Sequence, residues 1–96
     1  MNSFEQLQTT KFMIGVYNPL LAADMVSSII DAHINFYKLQ FLSQWESDHS
    51  TSTEDRDKKI GELKEKKKQL RSLIEQSKEE GGNISLEGIF EIKLMR

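Results

Sequence analysis

The sequence predicts an α+β fold in the order strand, helix, helix, strand, with apolar faces that a second copy of the chain would complete. Three observations carry that expectation. An Asn18-Pro19 pair opens a long run free of glycine and proline, Gly81-Gly82 closes a second, highly charged run, and the last stretch alternates apolar and polar residues. A chain of 96 residues is one domain, residues 1–96.

The elements follow in order. Residues 1–8, with Phe4 and Leu7 their apolar side chains after the first Met, read as a short helical turn or a loose arm. From residue 9 to 17 the β-formers Thr9, Thr10, Phe12, Ile14, Val16 and Tyr17 predict a strand. Simple alternation puts Phe12, Ile14 and Val16 on one side and Met13 and Tyr17 on the other. Asn18 is a strong N-cap, since its side-chain oxygen can accept a backbone N–H, and Pro19 fits the first helical position, where a missing donor costs nothing. The helix is expected over 19–46. At 100° per residue Asp24, Ser28, Asp31, Asn35 and Lys38 fall in one polar stripe, read as the solvent face. The apolar remainder spans about 220°, more than twice what a helix docked on one side needs. A helix of that kind has to be covered from two directions.

Residues 46–53 are polar, and their serines and threonines favour a turn and a new helix cap, through Ser52 with Asp55 or Thr51 with Glu54. The second helix is expected over 53–80, its first turn holding Glu54, Asp55 and Asp57, where the helix dipole favours acids. Ile60, Leu63, Leu70 and Ile74 make a narrow seam with Lys67 in the slot between, as in the charged arms of coiled coils. Ile84, Leu86, Phe90, Ile92 and Leu94 then alternate with polar residues over 84–95, a half-buried strand with a bend or bulge at Gly88. The short loop makes the helices an antiparallel hairpin. That brings the two strands to one pole, where antiparallel pairing is favoured.

Composition removes several function classes. With no cysteine there is no disulfide framework, thiolate metal site or cysteine nucleophile. No stretch approaches the 18 uncharged apolar residues a membrane span needs, and the early apolar run 12–17 is short for a signal-peptide core, so a cytoplasmic protein is expected. Five glycines at 15, 61, 81, 82 and 88 match no phosphate-binding loop, and no serine sits in a nucleophile elbow. His33 lies in the apolar arc of the first helix and reads as a core or interface histidine. Asp31 and His33, two apart, point to different helix faces and make no dyad. Glu46, Asp48 and His49 read as loop polarity rather than a metal site. No catalytic residue, cofactor or metal is expected.

Two binding surfaces remain. Between Arg56 and Arg71 there are eight basic and three acidic residues, and Lys64, Lys66, Lys67, Lys68 and Arg71 could neutralise phosphates. Acids bracket the run, no aromatic interleaves it, and the whole chain has a net charge of −2, so a solvated helix face outweighs a nucleic-acid surface. Met25, Ile29, Phe36, Tyr37, Phe41 and Trp45 on the first helix, with Phe90 and Ile92 on the last strand, form an aromatic-rich set of interface type. The leading expectation is a non-enzymatic interaction module that forms a homodimer or higher homo-oligomer through those residues. A nucleic-acid accessory protein using the basic face is the alternative, and an inter-subunit ligand pocket near His33 the third reading.

Overall fold

The computed structural model describes residues 4–50 and 52–95. Strand β1 (Phe4–Tyr17) leads into helix α1 (Pro19–Ser47), and helix α2 (Glu54–Gln76) continues through a 3₁₀ turn (Ser77–Glu80) into strand β2 (Ile84–Met95). The fold is the β-α-α-β arrangement, mixed α+β, with a two-stranded antiparallel sheet and two helices. Asn18 caps α1 as its side chain suggests, accepting the Leu21 N–H at 2.9 Å, with Pro19 in the first turn. At α2 the Glu54 N–H donates to the Ser52 hydroxyl at 3.1 Å, and the alternative cap through Thr51 lies outside the described residues. The α-helix stops at Gln76, four residues short of expectation. The Ser77 hydroxyl donates to the Ile74 carbonyl at 2.6 Å where the last turn tightens. Gly81 and Gly82 then hold φ of 75° and 89°, a left-handed pair that lets the chain reverse into β2.

Strand β1 is longer than its composition suggests. Residues 4–8, expected as a turn or a loose arm, are strand, because β2 runs on to Met95 and supplies partners down to Phe4. Pairing overrides the weak local β-preference of Glu5, Gln6 and Gln8. The ladder also corrects the expected bulge at Gly88. Gly88 sits in regular register opposite Phe12, and the extra residues are in β1, at Leu7 and Ile14. An extra residue shifts which side chains share a face. Tyr17 therefore joins Phe12, opposite Ile84 and Gly88, while Val16 crosses to the side of Met13, opposite Ser85 and Glu87.

The helices run antiparallel, with Asp24 beside Arg71, Asp31 beside Lys67 and Phe41 beside Arg56. On α1 the seam toward α2 is spaced four and three: Ala23, Ser27, Ile30, Ile34, Tyr37 and Phe41, all buried or half-buried. On α2 it is Arg56, Ile60, Leu63, Lys67, Arg71 and Ile74; Leu70, expected in this seam, is exposed instead, and Arg71 takes its place by bonding to Ser27 and Ala23. A second core lies where the strands meet the helices. Ala22, Ala23 and Ile74 are buried there under Tyr17, Val26, Ile84 and Leu86. Alanines at 22 and 23 let the sheet approach α1 closely.

Beyond this root the sheet leaves the helices. The chain has a radius of gyration of 17.1 Å, whereas a compact domain of this length has about 12–13 Å. It exposes 7702 Å², some 2,000 Å² more than the roughly 5,700 Å² of a compact monomer of this mass.

Candidate self-association surface

Two continuous apolar stripes lie outside the cores, beside further exposed apolar side chains such as Met13, Val16 and Ile89 on the other sheet face and Leu20, Leu42 and Leu73 on the helices. The first is on α1, at positions one residue off the α2-facing seam at the start and diverging from it around the helix. Ala22, Met25, Ile29, Ala32, Phe36 and Leu39 repeat at intervals of three and four, so they form a second stripe that turns away from α2. Ala22 is covered by the sheet root, and from Ile29 on the large side chains are bare, with Phe36 64% and Leu39 67% exposed. The wide apolar arc read from the sequence is thus divided: α2 covers one side of it, the sheet root covers the start of the other, and from Ile29 on none of the described residues buries that side.

The second surface is the outer half of the sheet. The face that buries Tyr17, Ile84 and Leu86 at the root continues through Phe12, Phe90, Ile92 and Leu94. Phe12 and Phe90 stack with centroids 5.3 Å apart and planes 17° apart. Gly88 makes this stack feasible: a Cβ there would come within 2.6 and 2.8 Å of Cε1 and Cε2 of Phe12, and closer still to Cζ. Yet Phe90 is 62% and Ile92 51% exposed.

Of the eight residues expected at an interface, five stand on these surfaces: Met25, Ile29, Phe36, Phe90 and Ile92. The other three are engaged within the chain. Phe41 is buried in the helix seam under the Arg56 guanidinium, which lies 4.3 Å from its ring centroid. Tyr37 is half-buried and stacks on His33, centroids 5.1 Å apart. Trp45 stacks on His49 at 4.1 Å, beside the interhelical loop. Sequence reasoning missed Phe12 and Leu39. Leu39 was recoverable from the three-four spacing that joins it to Phe36 and Met25, whereas Phe12 needs the ladder register.

His33, expected inside the apolar arc, is exposed. It borders a shallow groove of about 220 Å³ with Tyr37, Lys59, Glu62, Leu63 and Lys66, in which Glu62 is the single carboxylate. A wider, open groove of about 570 Å³ lies by the loop, among Phe41, Gln44, Ser52, Arg56 and neighbours. Among the described residues no three His, Cys, Asp or Glu side chains are grouped as metal ligands would be.

The polar stripe of α1 is exposed at all five positions, as expected of a solvent face, and two of them, Asp24 and Asp31, also reach cations of α2. Lys67 Nζ donates to Asp31 at 2.9 Å. Arg71 Nη1 donates to the Ser27 hydroxyl at 2.7 Å and the Ala23 carbonyl at 3.3 Å, with Asp24 at 3.4 Å. Two of the five candidate phosphate-binding cations are thus occupied by α1, leaving Lys64, Lys66 and Lys68 directed outward. In the loop, Asp48 accepts from both the hydroxyl and the N–H of Ser50, at 2.6 and 2.9 Å. Those bonds, the hydroxyl's first, hold its carboxyl below the usual carboxylate range.

Compared with models of known families, with curated proteins and with solved structures, the chain matches none. No helix among the described residues is long and apolar enough to cross a membrane.

Proposed function

We propose that this chain is a self-association module, a non-enzymatic building unit that pairs with further copies of itself through the outer stripe of α1 and the outer face of the sheet. In this reading α2 stays in water as a charged arm. The observation that carries the reading is the size of the surplus surface. An excess of roughly 2,000 Å² per chain lies within the range of about 1,000–2,500 Å² that each partner contributes to an obligate homodimer. Scattered apolar residues on a surface need no explanation, but Ile29, Phe36 and Leu39 on α1, and Phe12, Phe90, Ile92 and Leu94 on the sheet, form two continuous stripes. A two-stranded sheet is also marginal when alone in water, so a partner that covers its apolar face supplies what the fold lacks.

The α1 stripe and the β2 side of the sheet face carry no charged residue, as in the cores of homodimer interfaces, while Thr10, Gln8 and Glu5 stand at the facing β1 positions; Phe12, Phe36 and Phe90 contribute the aromatic anchors such interfaces favour. Light scattering or sedimentation over a hundredfold concentration range tests the reading. A mass of at least twice 11.1 kDa is expected, with Phe36→Asp shifting the equilibrium to monomer. A wild-type chain that stays monomeric throughout would overturn it.

A further inference from the structure

We infer that the two apolar surfaces are partners for one another between copies: the outer sheet face of one protomer lies across the outer α1 stripe of a second, and the exchange is reciprocal. This rests on the self-association reading and specifies its geometry.

Three observations lead to it. The first is dimension. From Met25 to Leu39 the α1 stripe is about 21 Å long at 1.5 Å per residue, and from Gly88 to Leu94 the free sheet face is about 20 Å long at 3.3 Å per residue. The second is continuity. The same sheet face already packs on α1 within the chain, where Tyr17, Ile84 and Leu86 cover Ala22 and Ala23. Sheet on helix is the contact this face is shaped to make, and its outer half repeats that contact on another copy.

The third is symmetry. A chain with two separate sticky surfaces that each paired with itself would generate two two-fold axes, which close into a dimer only where they coincide and otherwise give a larger closed assembly or an open chain. Pairing the sheet face with the helix stripe reciprocally closes both contacts about a single axis. Using both surfaces of each chain at once is in keeping with a whole-chain surplus near 2,000 Å².

The absence of cysteine makes the test clean. Phe36→Cys and Phe90→Cys both replace exposed side chains, and each variant chain carries one thiol. The two are mixed as folded protein, allowed to exchange subunits and treated with a mild oxidant; masses are taken before oxidation, and disulfides are mapped afterwards. Disulfides need Cα atoms within about 7 Å. The expected result is a dominant mixed 36–90 disulfide, several-fold above either symmetric product, with little cross-linking in each variant alone. A dominant 36–36 product means that helices pair with helices, and a dominant 90–90 product that sheets pair with sheets; either overturns the exchange. Dimers without a 36–90 disulfide also overturn it while leaving self-association standing. Chains found monomeric before oxidation, in wild type as in both variants, overturn the self-association reading itself.

Discussion

Substituting Gly88 by alanine adds one methyl group where the Phe12 ring already lies. The new Cβ would stand 2.6 and 2.8 Å from two ring carbons, against the 3.5–4.0 Å at which carbon atoms rest, so the ring must move by about 1 Å or more. Strand backbone holds both residues in register, and the ring therefore swings on its own torsions. That costs about 0.5–1.5 kcal/mol, and losing the stack on Phe90 costs about 0.5–1.5 kcal/mol more. Alanine returns about 0.5–1 kcal/mol, because it loses less backbone freedom than glycine in a strand. The net expectation is a loss of about 1 kcal/mol, or about 0.5–1 M in urea midpoint at the m-value of a small protein. The decisive measurement is a double-mutant cycle at one fixed protein concentration. With Phe12→Ala already present the obstruction is gone, and Gly88→Ala should stabilise the chain by about 0.5 kcal/mol. Equal effects of Gly88→Ala in both backgrounds would refute the reasoning, since glycine would then serve the backbone rather than the ring.

Ile74→Ala removes a buried side chain from the core beneath the sheet root and should cost about 3 kcal/mol, lowering the melting temperature by ten degrees or more in a calorimetric scan. Gly61 faces open space in the middle of α2, so Gly61→Ala should stabilise by about 0.5–1 kcal/mol, read as a higher urea midpoint. The Asp48 carboxyl should titrate below the ordinary aspartate range in an NMR pH series, and Ser50→Ala should move it back up. Because its folded value is depressed, the contribution of this turn is complete above the ordinary aspartate value and fades as pH falls through the lowered one.

Much of the fold is legible locally because its punctuation is local. Asn18, Pro19, Gly81 and Gly82 act through their own backbone preferences, and the alternation from Ile84 to Leu94 has one structural meaning. What escaped the reading depends on relations between distant residues. Nothing in Glu5, Gln6 or Gln8 favours a strand; the length of β2 imposes it. The bulges at Leu7 and Ile14 arise from matching two strands of unequal residue count, and the glycine at 88, a common bulge residue, has its place because its missing Cβ makes room for a ring. The partners of Asp24 and Asp31 follow from the stagger of the helices, which the six residues between Ser47 and Glu54 set and no wheel diagram contains. For the surface, the apolar arc of α1 was visible at once. Dividing it into an inner seam ending at Phe41 and an outer stripe ending at Leu39 required knowing where α2 lies.

The ladder joins residues from opposite ends of the chain, Tyr17 to Ile84 at the root and Phe4 to Met95 at the tip. Closing a loop of this length from the open chain is slow, because its entropy is lost before any contact compensates. Once the helical hairpin has formed, however, Tyr17 and Ile84 are already neighbours, and every later pair closes only a step beyond the last. The sheet is therefore a zipper with its slider at the helices. It closes from Tyr17 toward Phe4 and opens in the reverse order, so amide exchange in an isolated chain should quicken pair by pair toward the tip. A second copy lying across Phe90 and Ile92 would act as a clasp on the free end, and the slowest-exchanging amides of β2 would then extend outward from the root to Leu94.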